Sequence, residues 1–129
     1  MSASNGAEGR ILNWLTGNAT TAPTLPLKVR LMTAVGTDSA NGTEVAGGTY
    51  APQTFAADAV SGDGEAVGAV NNALIRFEGI PNPTTIVAFE IWDSAGTPFR
   101  WHWALLDSPR TVTDGVLEFA EGALAITCA

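Results

Sequence analysis

The sequence predicts an all-β protein: an antiparallel β-sandwich or small barrel of about seven to eight short strands with a short N-terminal helix. Three observations lead there. Apolar residues alternate with a period of two in several short runs, as in Leu27-Lys28-Val29-Arg30-Leu31, which is the mark of a half-buried strand. Turn-forming residues separate the runs at intervals of about 8–12 residues, helped by 14 glycines and 7 prolines. Nowhere do strands alternate with long helices, so a parallel sheet is not expected.

The helix comes first. Ser4 or Asn5 can cap it, Ala7, Ile11, Trp14 and Leu15 recur at helical spacing, and Gly17-Asn18 supplies a stop. From Ala19 to Pro26 the chain is rich in threonine and proline, which predicts a stiff extended connector. Residues 1–26 thus read as an arm, and residues 27–129 as the sandwich.

Leu27–Met32 is the first strand of that body, followed by a long polar loop from Gly36 to Gly48. Tyr50–Phe55 forms a second strand, which Pro52 confines to an edge or a bulge. A second Gly- and Asp-rich loop spans Ala57–Gly68, and Asn72–Glu78 alternates again. The clearest hairpin pairs Ile86–Trp92 with Pro98–Leu106 across Asp93-Ser94-Ala95-Gly96. On it, Val87, Phe89 and Ile91 should share one face, and Phe99, Trp101, Trp103 and Leu105 one face of the return strand. Two short strands close the chain, near Gly115–Phe119 and Leu124–Cys128.

Composition excludes several function classes. The 129 residues suit one domain, and a hydrophobic share of 46% is enough for a core. The formal charge is −7, and the six bases stand singly along the chain, so binding to nucleic acid is not expected. No run approaches the ~20 apolar residues of a membrane span, and the first residues lack the features of a signal peptide. The expectation is a soluble protein made in the cytoplasm. A single cysteine, Cys128, allows no internal disulfide and reads as an inert or buried end residue.

Catalytic chemistry finds little support. His102 is the one histidine, and a strand would turn it away from Trp101 and Trp103. No orienting carboxylate can be assigned to it by spacing. One histidine and one cysteine do not make a zinc site. Asp38, Asn41 and Glu44, and separately Asp58, Asp63 and Glu65, give oxygen-rich loops, but their spacing does not fit an EF-hand. The chain is therefore expected to be no enzyme, with no metal and no cofactor.

The aromatic residues carry more. Trp14, Trp92, Trp101 and Trp103 are many tryptophans for this length. Trp101 and Trp103 either pack in the core or form an apolar patch at an interface, with a saccharide-stacking platform as a third use. The helix poses the same choice, because a helix this short must bury Ile11, Trp14 and Leu15 against its own sheet or a neighbouring subunit. Ile11, Trp14, Leu15, Trp101 and Trp103 are the candidate partner-contact residues.

An ordered set of segments also resembles a known family. It begins with Ala7-Glu8-Gly9-Arg10-Ile11-Leu12-Asn13-Trp14-Leu15 and Leu27-Lys28-Val29-Arg30-Leu31-Met32-Thr33-Ala34. It continues through Gly42-Thr43-Glu44-Val45, Gly47-Gly48-Thr49-Tyr50-Ala51-Pro52-Gln53 and Asn71-Asn72-Ala73. Ala88-Phe89-Glu90-Ile91-Trp92-Asp93-Ser94-Ala95-Gly96-Thr97-Pro98 and Glu121-Gly122-Ala123-Leu124 complete it. The chain resembles small virion proteins of tailed bacteriophages, notably those of actinobacteria, labelled minor capsid, head decoration or tail fibre proteins. That resemblance implies a virion structural protein and brings no catalytic residues with it. The expectation drawn from it is a capsid decoration protein on the outside of the shell. It would bind the major capsid protein as a homo-oligomer or in many copies. A tail or tail-fibre component that recognises a host surface is the alternative.

Overall fold

The computed structural model describes residues 2–60 and 68–127. Among them are one helix and ten strands: β1 (Ser2–Ala3), α1 (Asn5–Leu15), β2 (Leu27–Ala34), β3 (Thr43–Glu44), β4 (Gln53–Phe55), β5 (Gly68–Val70), β6 (Ile75–Phe77), β7 (Thr84–Trp92), β8 (Arg100–Val112), β9 (Leu117–Phe119) and β10 (Ala125–Thr127). The fold is all-β with antiparallel pairing throughout, as the alternation required. The strands beyond the seven legible in the sequence are β1, β3 and β5, each only two or three residues long and so without a periodic signature.

The main sheet runs β1-β8-β7-β2-β3, with β4 also paired to β2. Two small sheets, β6-β9 and β5-β10, accompany it. Among the described residues β4 pairs with β2 alone, and Pro52 stands just before it, outside the paired residues, where its missing N–H is tolerated. The core lies between the main sheet and β6-β9: Val29, Leu31, Phe89 and Ile91 from one side meet Ile75, Phe77, Leu117 and Phe119 from the other. Phe77 packs edge-on against Phe119 and stacks on Tyr50, with centroids 6.2 and 6.1 Å apart.

A buried asparagine fastens the small sheets. Asn71 is fully enclosed, and its amide donates to the carbonyls of Ala73 and Ala120 at 2.9 Å while its oxygen accepts from the Leu124 N–H at 2.9 Å. A side chain with donors and an acceptor on one short stem can satisfy three backbone groups that no strand reaches.

Two bulges alter the hairpin faces. Pairing shifts between Ile86 and Ala88, so Ile86 joins Phe89 and Ile91 in the core and Val87 is left half-buried, contrary to the expected Val87 face. A second shift falls between Ile91 and Trp92, setting His102 opposite Ile91 but Arg100 opposite Trp92. The extra residue, Trp101, is bulged out, and Arg100 turns to the face away from the core. Trp101 and Trp103 are half-buried and neither belongs to the core cluster, which settles their packing against the core reading. Leu105, expected beside them, is exposed.

Candidate interaction surface

The face of the main sheet turned from the core has a cover of its own, built by the polar loop 36–42 and by α1. Its centre is Glu90, buried opposite Arg30 on β2 and Trp103 on β8. One carboxylate oxygen of Glu90 accepts from the Arg100 guanidinium at 3.1 Å and the Gly42 N–H at 2.8 Å; the other accepts from the Trp92 indole at 3.0 Å. Arg100 also donates to the Thr37 carbonyl. A charge pair this enclosed is tolerable because both partners are hydrogen-bonded, and their bonds fix the loop over the sheet.

The loop in turn holds the start of the helix. Asp38 accepts the Trp103 indole N–H at 2.8 Å through its side chain and the Asn5 N–H at 2.9 Å through its carbonyl. Ser4 caps α1, its hydroxyl oxygen accepting from the Ala7 N–H at 3.1 Å and its hydroxyl donating to the Arg100 carbonyl at 2.7 Å. The residues just before the helix are sheet, since Ser2 and Ala3 pair with Trp103 and His102. The helix ends as its glycine predicted: Gly17, at φ 77°, and Asn18 bond back to the carbonyls of Trp14 and Asn13.

Docking uses the small side of the helix. Ala7 is completely buried, and a Cβ added to Gly6 would sit 2.8 Å from the Phe99 ring. Arg10 then lays its guanidinium 3.5 Å from the centre of the Phe99 ring and 5.4 Å from that of Trp101, a favourable cation–π arrangement. Small residues face the sheet, so the large apolar ones face outward: Ile11, Leu12, Trp14 and Leu15 are 37, 60, 71 and 66% exposed.

Behind the helix the connector runs back beside it. The Thr20 hydroxyl donates to the Arg10 carbonyl, and Asp93 and Ser94 of the β7–β8 turn hold residues 24–26. Burial would raise the pKa of Asp93, but N–H groups of Phe99, Trp101, Ala95 and Thr24 bond its carboxylate and hold it below the ordinary value. Between helix and connector lies a groove of about 430 Å³, lined by Ile11, Trp14, Pro23 and Trp101 among others.

Of the candidate contact residues, the fold brings Ile11, Trp14 and Trp101 to one groove. Leu15 lies on the exposed helix face, while Trp103 is tied down by Asp38. Leu12, Arg10 and Pro23 also belong to this surface and were missed. The expected stripe put Ala7 on the same side as Ile11, and only the Gly6-Ala7 pair hinted that the small side would dock. The oxygen-rich loop spends its carboxylates internally: Asp38 on Trp103, and Glu44 on Tyr50 and Arg30. Asp58 accepts from Asn72, while Asp63, Glu65 and Cys128 lie outside the described residues. Among the described residues no three His, Cys, Asp or Glu side chains gather as a metal site, and no helix is long and apolar enough to cross a membrane.

With this geometry in view, one comparison decides the family. The model of the family described as "Podophage GP4 fiber I protein gp80" matches residues 2–127. The chain belongs to that family. The match takes in the helix, the connector and every strand of the fold. Membership makes the chain a phage structural protein, in keeping with the resemblance carried by its ordered segments, and places it in the virion. No curated protein matches the chain.

Proposed function

We propose that the chain is a component of a phage tail fibre that acts by docking, with no catalytic step. It would seat the apolar face of α1 and the neighbouring groove on another virion protein. The observation that carries this reading is the exposure of Ile11, Leu12, Trp14 and Leu15 on a helix already fixed to the sheet through Ala7. The core is complete without these side chains, so their burial awaits a partner. The fibre name of the family favours this placement over the shell. The competing reading, a decoration protein on the outer surface of the major capsid protein, draws on the charge of −7, which suits a place away from packaged DNA. A tail satisfies that condition equally.

Quantitative mass spectrometry of purified virions separates the two. A small fixed number of copies is expected. Hundreds in simple proportion to the major capsid protein would instead make it a decoration protein, and absence from the virion would overturn both. Replacing Trp14 and Leu15 together by serine should then remove the chain from assembled particles while leaving its isolated fold unchanged.

A further inference from the structure

The groove between α1 and the connector lies beside the side chain best shaped to fill it. Its walls include Ile11, Trp14, Pro23 and Trp101. Trp14 also stands 71% exposed, with Leu12 and Leu15 near it at 60 and 66%. One face thus carries a projecting indole and, next to it, a recess of about 430 Å³, ample for an indole ring. A projection and a recess on the same face complement each other after a two-fold rotation, each copy's Trp14 entering the other's groove.

Electrostatics selects the same face for a second copy. The chain carries a charge of −7, so two copies repel wherever their acids meet. From Ile11 to Leu27, the longest uncharged stretch of the sequence, there is neither acid nor base. Arg10, at its edge, is spent on the Phe99 and Trp101 rings. Glu8 is the one acid of the helix. In an antiparallel crossing centred near Asn13, a rise of about 1.5 Å per residue sets the two Glu8 about 15 Å apart along the axis, beyond the Debye length of about 8 Å. Parallel helices would set them side by side. The area also suffices: Ile11, Leu12, Trp14 and Leu15 expose on the order of 500 Å², and the groove walls widen the patch toward the ~800 Å² per partner of a specific interface.

We propose that the partner seated on this face is a second copy of the chain, docked as a closed two-fold dimer with antiparallel helices. The inference rests on the docking reading of α1 and names its occupant. The apolar helix residues of both copies form the dry centre, and Thr20 and Thr21 belong to the polar rim. A two-fold contact uses the same face of both copies, so association stops at two.

Sedimentation equilibrium of the full chain between about 1 and 200 µM tests this, with a dimer Kd on the order of 10 µM expected for a patch at the small end of specific interfaces. Raising sodium chloride from about 0.05 to 1 M should leave that affinity within about 3-fold or strengthen it, because only the repulsion of net charge is screened. Trp14→Ser removes the anchor from both sides at once and should weaken the dimer at least about 100-fold. Leu74→Ser, at a site 57% exposed just before β6 in the opposite layer, should change nothing. A chain still monomeric at about 200 µM, a dimer indifferent to Trp14→Ser, or association that grows past two copies would each overturn the proposal. Failure of the underlying reading looks different. A monomer whose Trp14 and Leu15 double variant is lost from virions overturns self-docking and keeps the docking reading. A dimer broken by Trp14→Ser, with the double variant still retained in virions, upholds self-docking and overturns attachment through this face.

Discussion

Replacing Glu90 by glutamine tests how the outer face of the sheet is held. The carboxylate is enclosed and meets three donors, on Arg100, Gly42 and Trp92. Glutamine keeps the shape but removes the charge, and it turns an NH₂ group toward at least one of those donors. Arg100, almost as deeply buried, is left without its counter-charge. Breaking a buried pair on one side costs about 3–5 kcal/mol, a large part of the 5–15 kcal/mol that a domain typically has. For a chain of this length the melting temperature should fall by about 11–18 °C. Urea unfolding is the better assay, because the midpoint should drop while the slope stays constant, the core being untouched. Glu90→Gln, Arg100→Met and the double variant complete a thermodynamic cycle, in which the coupling should reach about 1.5 kcal/mol or more. A cost for Glu90→Gln below about 1 kcal/mol, the value of an exposed pair, would refute the argument that this pair fastens the loop in a dry environment.

Two further outcomes follow from the same geometry. Gly6→Ala pushes a methyl group into the Phe99 ring, so the first helical turn should lift and Arg10 should leave the aromatic pair; tryptophan fluorescence and near-ultraviolet circular dichroism should change while the far-ultraviolet strand signal persists, and an unchanged near-ultraviolet spectrum would sink the docking account. Tyr50, the one tyrosine of the chain, has its phenol pushed well above the ordinary value, by burial first and then by the neighbouring Glu44, against the opposing Leu31 N–H bond. The fold therefore favours the neutral phenol: its contribution is whole below the unfolded pKa of about 10 and declines as pH rises beyond it. Tyrosinate absorbance should appear only together with unfolding, and Tyr50→Phe should flatten the alkaline loss of stability; free titration of the folded chain near the ordinary value would contradict this.

Much of the fold was legible because it rests on local rules. The alternation at Leu27–Leu31, the Asp93–Gly96 turn, the Ser4 cap and the Gly17 stop each depend on residues close in sequence, and the structure places them as read, while of the alternating run Asn72–Glu78 only Ile75–Phe77 forms a strand. The interaction surface was only half legible. Helical spacing found Ile11, Trp14 and Leu15 but not their direction, since periodicity defines a stripe and says nothing of which stripe meets the sheet.

The sequence by itself determined the class of the fold, because a period of two and frequent turn residues admit little else, and the ordered segments pointed to a virion family. Tertiary structure alone decided how the second face of the main sheet is used. A bulge at Trp101 rotates Arg100 onto the side of Glu90, and their pairing draws in a loop some fifty residues away in sequence, through Gly42. That cover leaves room at the helix for nothing larger than Gly6 and Ala7. The tryptophan and leucines of the helix consequently face outward, a result of which side chains fit beneath the helix rather than of how apolar each one is.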